Sequence, residues 1–133
     1  MDGQNNPDRI FIVEDDSDDI LLLSYELQDN QLDKGARFFS DINEIIAFHH
    51  AHERNCPPSL ILLNVFMPRC DIGHAVALSK SGVELQAVPL VVMLGSEGEK
   101  EYLRSYNLDV SGYIKKPVDG QKLRRFLGCQ TRH

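Results

Sequence analysis

The sequence predicts an α/β fold built on a parallel sheet, and two observations predict it. Five short apolar runs alternate with five stretches of helical character along the 133 residues, the signature of repeated strand-helix units. The runs are apolar at nearly every position, as in LILL (60–63) and PLVVML (89–94). Strands covered by helices on both faces require that pattern.

Each element follows from its residues. RIFIV (9–13) is the first strand, with apolar side chains for both faces. SDDILLLSYELQDN (17–30) opens with Ser17 as a capping residue and acids in its first turn, where the helix dipole favours negative charge. Ile20, Leu23 and Leu27 then fall on one helical face. ARFFS (36–40) is a second, weaker strand, and DINEIIAFHHAH (41–52) a helix capped by Ser40 or Asp41. Pro57-Pro58 breaks the chain before the strand SLILLN (59–64). A loop with Pro68, Asp71 and Gly73 leads into a helix from about His74 to Ser81. PLVVML is the fourth strand, GEKEYLRSYN (98–107) the fourth helix and SGYIKK (111–116) the fifth strand. Pro117 stops that strand, and VDGQKLRRFLG (118–128) is the last helix.

Composition bounds the class. With 42% hydrophobic and 26% charged residues the chain reads as one globular domain over 1–133, its core spanning about 8–128, without an output domain. Fourteen basic against twenty acidic residues give a formal charge of −6, which disfavours nucleic-acid binding. Cys56, Cys70 and Cys129 are odd in number and widely spaced, which argues against a disulfide framework or a zinc site and for a reducing compartment. The N-terminus is polar, and no apolar run approaches the ~20 residues of a membrane span. A cytoplasmic protein with no membrane attachment is expected.

In a sheet of this kind ligands bind beyond the carboxyl ends of the strands. Strand one ends in Glu14-Asp15-Asp16, strand three in Asn64, strand four in Gly95-Ser96 and strand five in Lys115-Lys116-Pro117. Adjacent carboxylates need compensation. A hard divalent cation such as Mg²⁺ would supply it, and so would the Lys116 ammonium, which could pair with Asp15. The plainer reading is a row of solvated acids ahead of a helix N-terminus.

The motifs IFIVEDD (10–16), PPSLILLNVFMP (57–68), VPLVVMLGS (88–96) and GYIKKP (112–117), in that order and spacing, resemble the receiver domain of two-component response regulators, the CheY-like fold. The resemblance covers about residues 8–128. It implies a doubly wound five-stranded parallel sheet in the order 2-1-3-4-5 with helices on both faces. It also implies an acidic pair for Mg²⁺ at Glu14 and Asp15, a phosphoacceptor position at Asn64, a hydroxyl position at Gly95 with Ser96 as the next hydroxyl, a switch aromatic at Tyr113 and the family's lysine at Lys116. The loop Met67-Pro68-Arg69-Cys70-Asp71-Ile72-Gly73 resembles the family's turn after strand three, with one extra residue.

Two positions depart from that pattern. A carboxylate can attack a phosphoryl group, but a carboxamide has neither the charge nor a free lone pair on nitrogen. Asn64 in place of the acid also lowers the charge available to a metal, so Glu14, Asp15 and Asn64 are expected to hold Mg²⁺ weakly and no cofactor is required. Glycine at 95 offers no hydroxyl. The chain is therefore identified as an atypical receiver, a pseudo-receiver and not an enzyme, that acts by protein–protein interaction. The partner would be a histidine kinase, another regulator or a second copy. It would dock on the face of helix four, strand five and helix five, with Tyr102, Tyr106, Tyr113, Lys115, Lys122 and Arg125 as contacts. The alternative is a Mg²⁺-dependent phosphoacceptor in a phosphorelay, with Asn64 an introduced replacement or a residue that becomes Asp by deamidation. The bulky Val65 that follows would slow that conversion. Nucleotide or flavin binding is disfavoured because no glycine-rich loop follows strand one.

Three further features have readings of their own. His49, His52 and Glu53 are spaced to meet on one helical face as a metal site, against the plainer reading of polar residues at a helix C-terminus. Lys115, Lys122, Arg124 and Arg125 make the C-terminal third locally basic, and the plainer reading beside a docking face is a solvated helix face. Cys70 beside the site is either a redox-sensitive thiol or an idle cysteine.

Overall fold

The computed structural model describes residues 8–52, 57–64, 71–80 and 85–131, with side chains to 127. Glu53, Cys56, the turn residues Met67 to Cys70 and the Cys129 side chain, all singled out above, lie outside that set.

Ten elements alternate along the chain. They are β1 (Ile10–Val13), α1 (Ser17–Asp29), β2 (Ala36–Phe39), α2 (Ile42–His52), β3 (Leu60–Asn64), α3 (Ile72–Ser79), β4 (Leu90–Leu94), α4 (Glu97–Arg104), β5 (Gly112–Lys115) and α5 (Gly120–Thr131). The strands form one sheet in the order β2-β1-β3-β4-β5, and every pairing is parallel. Among the described residues no helix is long and apolar enough to cross a membrane.

Strand alternation sorts the core into two layers. Phe11, Val13, Ile61, Leu63, Leu90, Val92 and Leu94 face α2, α3 and α4. Ile10, Ile12, Leu60, Leu62, Val91, Met93 and Ile114 face α1 and α5, where Leu23, Leu27, Leu123 and Leu127 meet them. Leu23 and Leu27 are buried as their spacing requires, whereas Ile20 sits at the margin. Gly120 at the start of α5 makes room for the side chain of Asn30, the residue after α1, whose Nδ2 would lie 1.9 Å from a Cβ there.

Boundaries shift by a few residues from the sequence reading, and the caps explain where. Asp16, not Ser17, caps α1: its carboxylate accepts the N–H groups of Asp18 and Asp19. Asp41 caps α2 by accepting from Glu44 N–H, while the Glu44 carboxylate accepts from Ser40 N–H. That reciprocal pair is a capping box. Asp71 caps α3 through His74 N–H at 3.1 Å, which starts the helix at Ile72, two residues earlier than expected.

Candidate functional site

The same alternation builds the polar cluster at the carboxyl edge. Ile10 and Ile12 precede Glu14, Leu60 and Leu62 precede Asn64, and Ile114 precedes Lys116, all in one layer of the core. Counting by two therefore turns Glu14, Asn64 and Lys116 toward α1 and α5. Val13 pairs with Leu63 in register, so Glu14 and Asn64 follow as neighbours one step beyond.

Glu14 is 2% exposed and Asn64 4%, yet the charge is not stranded. Asn64 Nδ2 donates to Glu14 Oε2 at 2.9 Å, and Asp16 N–H donates to the same oxygen at 3.2 Å. Lys116 Nζ lies 3.2 Å from Glu14 Oε1 and 2.9 Å from Asp19 Oδ2. A buried carboxylate is tolerable with such a set: one cation and N–H donors. The side-chain amide is oriented by the same logic, since an ionised carboxylate only accepts. Burial pulls the Lys116 ammonium down, but the hydrogen bond to Asp19 and the charge of Glu14 outweigh it and hold the group above its ordinary value.

The expected Lys116–Asp15 pair is replaced. Asp15 is exposed, and Lys116 reaches Glu14 and Asp19 instead. The local sequence gives Asp19 only the role of a first-turn acid that suits the helix dipole. A parallel sheet brings the end of β5 beside the first turn of α1, a juxtaposition of residues 97 positions apart. The cleft beside this ion pair is lined by Glu14, Asp19, Leu22, Met93 and Lys116 among others and measures about 20 Å³, room for about one water molecule.

The residues after β4 have local duties. Ser96 caps α4 by accepting Glu99 N–H, and Gly95 N–H donates to Glu99 Oε1 at 2.6 Å. On β4, the last residue in the core layer against which Tyr113 packs is Leu94, an apolar side chain with no hydroxyl to offer.

The donor set fits a hard divalent cation poorly in this arrangement. Both Glu14 oxygens already have cationic or N–H partners, and Lys116 supplies the positive charge that a metal would bring.

The histidines do not converge. His49 is fully buried, His50 and His52 are exposed, and the His52 ring packs edge-on against Phe48, 4.6 Å between centroids. Neither reading of this cluster anticipated a core histidine.

The face of α4, β5 and α5 holds a groove of about 380 Å³, lined by Glu97, Lys100, Tyr113, Ile114, Lys115, Lys122, Arg125 and Phe126. Gly112 lets the Phe126 ring approach β5, since a Cβ there would come within 2.8 Å of it. Tyr102 and Tyr106 are not in the groove lining. They are exposed on α4 and its C-terminal turn, with their hydroxyls 2.5 Å apart and their rings 5.1 Å apart. The hydrogen bond with Tyr102, followed by desolvation and the nearby charge of Asp71, raises the Tyr106 phenol above its ordinary value.

No family model matches the chain. It is 30% identical over 118 residues to response regulator Rcp1 of Synechocystis sp., covering 86% of this chain and 80% of that protein. It superposes on the phosphorylated cyanobacterial phytochrome response regulator RcpA with a TM-score of 0.67 at 30% identity, covering 92% and 89% of the two chains. On the Mn²⁺-bound form of Rcp1 the TM-score is 0.65 at 28% identity, covering 95% and 94%.

Proposed function

The chain belongs to the response-regulator receiver family, and from that premise we propose that it signals through protein contact and does not accept phosphate at residue 64. One observation carries the reading: a neutral amide stands at the end of β3 and gives its N–H to Glu14 at 2.9 Å. A receiver nucleophile must present an anionic oxygen to phosphorus. At Asn64 there is none, and the nitrogen turned toward Glu14 is a donor.

Two further observations support it. The Ser96 hydroxyl is engaged in capping α4, and Gly95, at the hydroxyl position, has no side chain and gives its N–H to Glu99. A phosphoryl oxygen would thus lack a hydroxyl to pull, and Tyr113 would lack the partner that couples such a pull to movement. Tyr113 is instead part of a standing surface. Divalent cations bind weakly, through Asp15 and whatever Glu14 releases, because Lys116 already neutralises the buried acid.

The test is incubation with Mg²⁺ and acetyl phosphate or phosphoramidate, read by intact mass. No adduct is expected on the chain as it stands. A stable aspartyl-type phosphate at position 64 would overturn the proposal and favour the phosphoacceptor alternative with a deamidated Asn64. The Asn64→Asp variant separates the two departures. An adduct there means that Asn64 alone blocks the reaction, and no adduct means that the β4 end is also unfit.

A further inference from the structure

Two surfaces lie beside the buried cluster. The first is the groove on α4, β5 and α5. Its rim carries Lys100, Lys115, Lys122 and Arg125 against the single acid Glu97, and Tyr113 and Phe126 supply aromatic walls. This cationic concentration stands on a chain of net charge −6. The second is the outer face of α1. Leu21, Leu22 and Tyr25 are 52%, 55% and 57% exposed, and their spacing places them together on one side of the helix. Asp18 and Asp29 lie on the same helix, which has no lysine or arginine at all, while Glu26 is engaged by the Gly120 N–H of α5. An apolar stripe bounded by acids is one surface; an apolar trough bounded by cations is the other.

We infer that the α1 face of one copy docks in the α4-β5-α5 groove of the next, a head-to-tail self-association. The inference rests on the reading of this chain as a receiver that signals by contact, and it names the partner. Charge complementarity selects the occupant. Like charges placed across an interface oppose binding, and opposite ones set both the register and the choice of partner. A two-fold pairing of groove against groove would set four cations on four cations, so the symmetric arrangement is disfavoured. Groove against α1 sets cations on acids and aromatic walls on Leu21, Leu22 and Tyr25, the combination of apolar centre and polar rim that stable interfaces use. The two patches lie on different elements, so each copy keeps one of each free. Such an interface is heterologous and continues into rings or filaments unless the rotation closes.

The experiment is sedimentation velocity of the full chain over a range of concentrations, at about 0.02 M and about 0.5 M salt, where surface charges are respectively weakly and strongly screened. Assemblies larger than a pair are expected at high concentration and low salt, shrinking at high salt. The Lys122→Glu/Arg125→Glu double variant and the Leu22→Lys variant should each be monomeric. Tyr25→Lys serves as a second break of α1, with circular dichroism checking that each variant is folded. An equimolar mixture of the groove variant and the α1 variant should form a one-to-one pair and nothing larger, because one intact groove still meets one intact α1. A monomer under all conditions overturns the inference, as does a closed pair that survives the α1 variants. Neither result depends on whether residue 64 takes phosphate, so failure here is distinguishable from failure of the receiver reading.

Discussion

Two regions near the same end of the sheet solve opposite electrostatic problems. At the ends of β1, β3 and β5, Glu14, Asn64, Lys116 and Asp19 satisfy one another in a cluster whose neighbouring cleft is about 20 Å³. On the outer side of β5, Lys115, Lys122, Arg125 and Lys100 line a groove of about 380 Å³ with one acid among them. A region whose charges are neutralised from within has little reason to recruit a ligand. A region whose charges are left unpaired in a concave, partly apolar trough is suited to a partner. On the proposed function, the balance between those regions lies away from the phosphorylation edge and toward the docking face.

The contrast breaks most sharply at Lys116. Lys116→Met removes the cation and leaves a carboxylate that is 2% exposed without its counter-charge. We expect a loss of about 3 kcal/mol in urea unfolding, the usual cost of breaking a buried pair from one side. A loss under about 1 kcal/mol would mean that the N–H donors alone sustain Glu14.

Asn64→Asp comes next. It replaces a donor 2.9 Å from Glu14 Oε2 with a second carboxylate, and two such groups at contact cannot both ionise without a cation. The variant should lose about 2 kcal/mol in metal-free buffer. It should regain stability with Mg²⁺, seen as a rise in melting temperature that the parent chain does not share. A parent that gains as much from Mg²⁺ as the variant would contradict the closed-cluster view.

A smaller effect is expected at alkaline pH. The Lys116 ammonium is held above its ordinary value of 10.5 despite the opposing effect of burial. A raised folded value means that the folded state binds the proton more tightly. The contribution is therefore fully present below pH 10.5 and is lost as pH rises through the higher folded value. The stability gap between the parent and Lys116→Met should be flat from neutral pH to about pH 10 and narrow above it. A gap that already closes near pH 8 would put the favourable interactions elsewhere.

The smallest effect belongs to the groove. Lys122→Glu and Arg125→Glu lie at exposed positions and should alter folding stability by no more than about 0.5 kcal/mol each, as measured by the same urea transitions. A cost several times larger would show that these cations serve the fold, and the two regions would no longer differ in kind.

Much of this was legible in the residues. Continuous apolar runs of strand length can only be buried on both faces, and alternating them with helical stretches leaves a parallel sheet as the economical solution. Chain order and the polar residues at strand ends then located the edge where Glu14, Asn64 and Lys116 gather. The period of two along each strand, counted from buried isoleucines and leucines, even decides which layer they face. That Asn64 lacks an anionic oxygen is a fact of covalent chemistry, and no fold alters it.

What the sequence could not decide was partnership across long separations. Asp15 and Asp19 are equivalent in composition and both precede the body of α1, yet Lys116 ignores the first and binds the second. Asp16 caps α1 and so places Asp19 in its first turn, where Lys116 from an element 97 positions away reaches it. The tyrosines are likewise sorted by packing: Tyr113 lines the groove while Tyr102 on α4 faces Tyr106 in the turn that follows it. Local pattern determines which residues are apolar, capped or charged, because those are properties of short segments. Which charge meets which is decided by packing, because it depends on where elements far apart in the chain come to lie side by side.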